Sequence, residues 1–130
     1  MSESPITIQD RLLEIKESIE LIQQWSEGMT SAHDFMVSPG RVMAFNACVM
    51  RLQVIGEHVG KLLKLNDGLL EAYPHIPWHA IYGMRNFISH EYANINENIV
   101  IDVINNELEP LSMAIDQMIA ENEKKQRNTS

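Results

Sequence analysis

Cysteine is almost absent from this chain of 130 residues, which contains only Cys48. A single thiol excludes an internal disulfide, as is usual for intracellular proteins. No apolar run approaches the length of a membrane span, and the first residues lack the basic start and apolar stretch of a secretory signal. We therefore expect a cytoplasmic protein that does not enter a membrane.

Positive charge is also scarce, because 10 lysines and arginines stand against 18 aspartates and glutamates, for a formal net charge of -8. Such a chain repels polyanions, which argues against broad wrapping of DNA or RNA. Any contact with nucleic acid has to be local and to use few phosphates. The cations available for it are Arg41, Arg51, Lys61, Lys64 and Arg85.

Strict alternation of polar and apolar residues is missing, so no strand is predicted. Three long segments instead repeat apolar residues every three or four positions, as amphipathic helices do. They cover 8–25, which ends before Gly28, then 42–63, and finally 96–118, which starts at a capping asparagine. A short turn of helix is expected over 31–36.

Pro110 interrupts the third segment, where it removes the hydrogen bond to the carbonyl of Asn106. Because the apolar repeat continues beyond it, we expect a bend and not the end of the helix. Residues 121–130 are polar and are expected to form a frayed tail. With no linker or internal repeat, residues 1–130 are predicted to form one all-α domain, an antiparallel bundle of four to five helices.

Two glycines, Gly56 and Gly60, lie one turn apart on the second segment, and Gly56 falls on its apolar seam. Glycine inside a helix costs about 1 kcal/mol relative to alanine. Two on one face therefore suggest the close approach of another backbone, within the chain or across a dimer. Simple tolerance of glycine is the alternative.

A fourth helix is predicted from Pro77 or Trp78 to Glu91, where the apolar pattern breaks. Its core-facing stripe consists of Ile81, Met84, Phe87 and Ile88, and its polar arc consists of Arg85, Asn86, Ser89, His90 and Tyr92. Arg85 and His90 stand about 140° apart on the helical wheel, so they flank a shallow surface without touching. A compact site needs a second surface, most simply from a second copy of the chain.

Structural interpretations compete with functional ones at each of these residues. A histidine is most often structural or on the surface, an arginine ion-paired, and a helix-end tyrosine a packing residue. Metal binding is a weak interpretation, because Pro77 separates His75 from His79 and prevents one helix from presenting both. Apolar neighbours argue against Cys48 as a nucleophile.

Glu57 and Lys61 have the spacing of an ion pair on a surface or at an interface. They belong to the first of three stretches that resemble the HEPN domain of HepT-type toxins. These stretches are RLQVIGEHVGKL from Arg51, YPHIPWHAIYGMRNFISHEY from Tyr73 and ELEPL from Glu107. The resemblance covers roughly residues 42–118 and includes an Arg, four residues, His, one residue, Tyr motif. It implies a HEPN-type helical bundle.

The resemblance further implies a metal-independent endoribonuclease without a cofactor, the toxin of a two-gene toxin-antitoxin module. By motif position, Arg85 and His90 are the implied catalytic pair, with Asn86 and Ser89 in support. The motifs of two subunits meet at a dimer interface in the family, so a homodimer is expected. Tyr92 matches the tyrosine that the cognate antitoxin, a minimal nucleotidyltransferase, modifies with AMP from ATP. Further RNA or interface contacts are expected from Arg51, Glu57 and Lys61.

The residue types suit RNA cleavage without a metal. Histidine, with an ordinary pKa of about 6.5, can manage the proton of the 2'-hydroxyl or of the leaving oxygen. A permanently charged arginine can offset the charge of the transition state. Two alternatives remain. One is a non-catalytic RNA- or nucleotide-binding partner of the nucleotidyltransferase, which the acidic charge mildly favours, and the other is a structural helical dimer with a polar interface.

Overall fold

The computed structural model describes residues 6–65, 68–91 and 94–129, and within helices it leaves out the side chains of 89–91 and 129. In this described part the chain is all helical, as predicted, and contains no strand. Its elements are α1 (Ile8–Trp25), α2 (Ala32–Met36), α3 (Pro39–Leu63), a 3-10 turn (Leu70–Ala72), α4 (Trp78–Glu91), α5 (Glu97–Asn106) and α6 (Leu108–Thr129).

The helix starts follow local capping chemistry. Thr7 and Asp10 form a capping box at α1, and Ser31 and Asp34 form another at α2. α3 begins at a proline behind a serine cap, where the missing N–H of proline does no harm. Asn96 caps α5 as predicted, because its side chain accepts from the backbone N–H of Asn98 at 2.9 Å.

The long helices pack antiparallel, as the order of their contacts shows. Gln9 of α1 accepts a hydrogen bond from Asn122 of α6, and Lys16 of α1 donates one to Ser112, so residue numbers fall on one helix as they rise on the other. The packing of α3 against α1 and α4 follows the same rule. The predicted antiparallel bundle is therefore confirmed.

The predicted apolar repeats form the core. The largest side chains that are fully buried come from every helix of the bundle except α5: Leu12, Ile15, Ile19, Ile22, Phe35, Leu52, Ile55, Leu62, Ile88, Leu108, Ile115 and Met118. Phe87 corrects the prediction for α4, because it is 40% exposed although it was assigned to the core-facing stripe. Ile81 and Ile88 of that stripe are buried.

The third predicted segment is divided, and not merely bent. α5 ends at Asn106, Glu107 stands alone, and α6 starts at Leu108. The break therefore falls three residues before Pro110. The physical reason is that Pro110 then lies in the first turn of α6, where no helical hydrogen bond is lost.

α6 continues to Thr129, so the polar residues after 120 are helical as far as that residue. Tyr73 donates its hydroxyl hydrogen to Glu121 at 3.2 Å, and Asn122 donates to Gln9 at 2.6 Å. Fraying of 121–130 stays a prediction. Among the described helices, none has both the length and the apolar character needed to cross a membrane.

Candidate active site

The contact between α3 and α4 depends on the two glycines that the sequence singled out. A Cβ on Gly56 would lie 2.5 Å from the Cβ of Arg85 and 3.0 Å from the carbonyl oxygen of Ile81. A Cβ on Gly60 would overlap the ring of Tyr82. The predicted close approach is therefore real, and it takes place within the chain: a backbone and a Cβ approach Gly56, and an aromatic ring approaches Gly60.

This close packing places the start of the Arg85 side chain directly on α3. Beside it lies a cavity of about 110 Å³, lined by Glu57, Gly60, Lys61, Lys64, Tyr82 and Arg85. Glu57, Gly60 and Lys61 of α3 and Lys64, its C-cap, recur at spacings of three, one and three. The two α4 residues are three apart. Each set thus occupies one side of its helix.

The guanidinium of Arg85 has one described partner. Its Nη1 donates to the side-chain oxygen of Asn86 at 3.0 Å. Its Nε is enclosed and finds no acceptor in the described part of the chain. Asn86 is therefore in a position to orient Arg85, and its supporting role in a site stays a prediction.

Some of the other predicted site residues lie away from this cavity, and others are not among the residues that the structure describes. Ser89 and His90 belong to α4, but their side chains lie outside the described residues, and so does the whole of Tyr92. Arg51 does not line the cavity, since it lies about 120° around α3 from Glu57. Glu57 and Lys61 both reach the cavity.

Within the described residues Glu57 and Lys61 do not form an ion pair with each other, whereas Lys16 pairs with Glu20 and Asp116; a contact of Glu57 or Lys61 at an interface stays a prediction. Both cavity side chains are exposed, and water solvates exposed charges well enough that i,i+4 pairing gains little. The glutamate and the lysine therefore remain separately available to a ligand or partner.

Cys48 is buried and its thiol lies 3.9 Å from the carbonyl oxygen of Ile22. Burial raises the pKa of this thiol to about 11, so the reactive thiolate is scarce at neutral pH. The prediction that Cys48 is not a nucleophile agrees with this environment. Among the described residues, no three His, Cys, Asp or Glu side chains lie close enough to hold a metal ion.

Two of the larger cavities have mostly apolar linings, which do not suit an RNA phosphate. One, of about 560 Å³, lies between the end of α3, the 3-10 turn and the start of α4, with a mostly apolar lining. The other, of about 360 Å³, is an apolar groove between α4 and α5 that includes Gly83, Phe87 and Ile99. The cations instead line the small cavity beside Arg85, so the volume of a cavity does not identify the candidate site in this protein.

Sequence reasoning missed Tyr82 as a cavity residue and named Lys64 only as an available cation. A signal was present for both. Tyr82 lies three residues before Arg85, and Lys64 lies three after Lys61 and four after Gly60. Helical spacing from residues already singled out would have added them.

The chain matches the HepT-like ribonuclease family over residues 15–118, which includes α3, α4 and α5 entirely. That range is most of the chain. The protein therefore belongs to the HepT-like ribonuclease family, and the family resemblance noted in the sequence is confirmed.

Curated relatives are similar to this chain at moderate identity. A Methanocaldococcus jannaschii protein named a gamma-glutamylcyclotransferase and "putative RNase" is 29% identical over 114 residues, which are 88% of this chain and 48% of the relative. A "putative RNase" of Caldanaerobacter subterraneus is 33% identical over 89 residues, which are 68% of this chain and 74% of the relative. The chain thus spans about half the length of the first relative. No solved structure matches it significantly.

Proposed function

We propose that this chain is a metal-independent endoribonuclease and acts in the cytoplasm as the toxin of a two-gene toxin-antitoxin system. The observation that carries the proposal is the family match over residues 15–118, which includes the whole of α4. The position of Arg85 supports it, because the glycines of α3 hold this cation at a polar cavity. RNA is the proposed substrate.

The proposed catalytic pair is Arg85 and His90. In the reaction, the 2'-oxygen of the RNA bonds to phosphorus, the bond from phosphorus to the 5'-oxygen breaks, and the products are a 2',3'-cyclic phosphate and a 5'-hydroxyl. The 2'-hydroxyl loses a proton and the 5'-oxygen gains one, which is the work assigned to His90. Arg85 offsets the charge on the phosphorane-like transition state. Asn86 positions Arg85 through its 3.0 Å hydrogen bond, and Ser89 is proposed as a further support.

A homodimer is proposed to complete the site. Arg85 and His90 lie about 140° apart on the wheel of α4, so one copy gives an open surface. A second copy is proposed as the occupant of the apolar groove beside α4. Phe87 lines this groove and is 40% exposed, and one turn earlier Gly83 has open space at its Cβ position. A twofold axis would place each Phe87 over the Gly83 of the other copy.

Neutralisation is proposed to occur at Tyr92, through a minimal nucleotidyltransferase antitoxin. The tyrosine oxygen bonds to the α-phosphorus of ATP and pyrophosphate leaves, so that Tyr92 carries AMP through a phosphodiester. The added anion shares the motif with Arg85 and His90. There it can pair with their positive charge and exclude an RNA phosphate.

The decisive test is RNA cleavage by purified protein in the presence of a chelator. We expect cleavage with 2',3'-cyclic phosphate and 5'-hydroxyl ends, and a loss of at least about 100-fold in His90→Ala and in Arg85→Ala. If the wild type leaves RNA intact at stoichiometric amounts and its tyrosine is unmodified by mass spectrometry, the enzyme hypothesis is wrong. The non-catalytic binding subunit would then be the better explanation.

Tyr92→Phe separates regulation from catalysis. We expect this variant to cleave RNA at the wild-type rate but to escape neutralisation, because it lacks the oxygen that accepts AMP. Growth with the antitoxin co-expressed, and protein mass with ATP present, measure the two effects. Loss of cleavage in Tyr92→Phe would instead give the tyrosine a catalytic or structural role.

A further inference from the structure

The cavity beside Arg85 concentrates positive charge in an otherwise acidic molecule. Lys61, Lys64 and Arg85 line about 110 Å³ together with one carboxylate, Glu57, whereas the chain as a whole has a net charge of -8. One cation comes from α3, one from the C-cap of α3 and one from α4. General surface composition does not explain three cations at one small cavity in such a chain.

The described part of the protein gives these three cations no ion-pair partner. Within the described residues none of them takes part in an ion pair, whereas Lys16 on α1 lies 2.9 Å from Asp116 and 3.9 Å from Glu20. Lys61 and Lys64 are also three residues apart on one helix, a spacing at which like charges repel. An anion in the cavity would relieve this repulsion.

Arg85 supplies a second and independent indication of a ligand. Its Nη1 is engaged by Asn86, but its Nε is enclosed and has no acceptor in the described part of the chain. An enclosed donor without an acceptor is unfavourable. Guanidinium donors match phosphate oxygens in geometry and charge, and lysine binds phosphate as a point charge.

The size and position of the cavity restrict the ligand further. A volume of about 110 Å³ is well below that of pockets for drug-sized molecules, so it suits one small anionic group and not a base with its sugar. The position of His90 is about 140° around α4 from Arg85. A group held against α3 is therefore on a different side of α4 from His90.

We propose that this cavity between α3 and α4 binds one backbone phosphate of the RNA next to the phosphate that is cleaved. Lys61, Lys64 and the guanidinium of Arg85 are its donors. The inference rests on the proposed function, because it takes RNA as the substrate. It assigns the two lysines to substrate binding and not to the chemical step, so their loss raises KM and leaves kcat unchanged.

The test measures binding of a single-stranded 2'-O-methyl oligoribonucleotide, which lacks the attacking hydroxyl and cannot be cleaved in this way. We expect the Lys61→Ala/Lys64→Ala double variant to bind at least about tenfold more weakly than wild type at low salt. We also expect the slope of log K against log salt to become shallower by about 0.7, the value for one phosphate of a single strand.

A matched control is the Lys124→Ala/Lys125→Ala double variant, which changes the net charge equally on α6, away from the cavity lining. It is expected to bind within about twofold of wild type, because exposed distant charges are screened. The Lys61→Arg/Lys64→Arg variant keeps the charge and is expected to retain most of the affinity. Thermal unfolding of each variant checks the fold.

Equal weakening in the two alanine variants, or wild-type binding in both, would overturn the proposal, as would a wild type that does not bind the oligonucleotide at low salt. Cleavage is not part of this measurement. A protein that binds through the cavity but leaves ordinary RNA intact would contradict the proposed function alone. A protein that cleaves RNA but binds equally with and without the lysines would contradict only the phosphate site.

Discussion

The two sides of α4 use glycine in opposite ways. Towards α3, Gly56 and Gly60 give up their side-chain space to Arg85 and Tyr82, and a small polar cavity results. Towards α5, Gly83 belongs to α4 itself and has open space where its Cβ would stand, beside an apolar groove of about 360 Å³. The chain thus completes its packing on one side of the motif helix and leaves the other side uncovered.

Replacing one glycine by alanine on each side of α4 is expected to give the largest difference in unfolding free energy and in cleavage. Gly56→Ala forces a Cβ against the Cβ of Arg85 and a backbone oxygen, so we expect a loss of about 1–3 kcal/mol in unfolding free energy. Displacement of Arg85 is expected to lower cleavage about 100-fold. Urea unfolding and cleavage rates measure the two effects.

Gly83→Ala is the matched substitution on the open side. Nothing lies within 4 Å of its new Cβ in the single chain, so we expect the isolated fold to gain up to about 1 kcal/mol from helix propensity. Equal destabilisation by both alanines would remove the distinction between the two sides of α4.

Phe87→Glu tests whether the uncovered side receives a second copy. The side chain is 40% exposed, so we expect the single chain to keep its stability within about 0.5 kcal/mol. A charge in an apolar contact is costly, so the dimer should weaken at least tenfold, as measured by analytical ultracentrifugation. Met113→Glu, at a 65% exposed position on α6, is the control. A Phe87→Glu variant that dimerises like wild type would leave the groove without this role.

A smaller effect, on the pH dependence of stability, is expected from His58, which follows Glu57 on α3. Burial lowers the pKa of His58, Arg11 lowers it further, and Glu14 and Glu57 oppose the shift. The Nη1 of Arg11 lies 3.1 Å from its Nδ1, which fits a neutral ring that accepts the hydrogen.

Folding therefore favours the neutral form of His58. This stabilisation is present above the pKa of the unfolded chain, about 6.5. It is lost as the pH falls through the lower pKa that His58 has in the folded protein. Between pH 7.5 and 5.5, we expect wild type to lose more unfolding free energy than His58→Gln. The difference should stay below about 1 kcal/mol, because solvent screens a half-buried ring. The same loss in both proteins would show that Arg11 and burial do not affect this titration measurably.

The sequence predicted the helices well where a cap or breaker agrees with the apolar repeat. α1 ends at Trp25 and Gly28 follows with φ +78°, and α5 starts behind Asn96 as expected. The division at Glu107 could not be predicted, because the apolar repeat continues through it. Phe87 was misplaced because a helical wheel gives direction but not the neighbours that cover each direction.

For the candidate site, the sequence predicted the residues of α4 and the packing role of the glycines. It did not predict which cations meet. Arg51 and Lys61 are on the same helix, and only the register against α4 brings Lys61, together with Lys64 and Tyr82, to Arg85. That register depends on the packing of Arg85 against Gly56 and of Tyr82 against Gly60. This packing is a property of the two helices together and not of either segment alone.

The contact of α1 with α6 has a consequence for synthesis of the protein. Lys16 reaches Asp116 across 100 positions of the chain, so α1 must wait for the synthesis of about a hundred further residues before its second flank is covered. Until then a nascent chain can assemble α1, α3 and α4 while part of α1 remains open to water. A chain truncated before α6 is therefore expected to expose part of α1 and to be prone to aggregation.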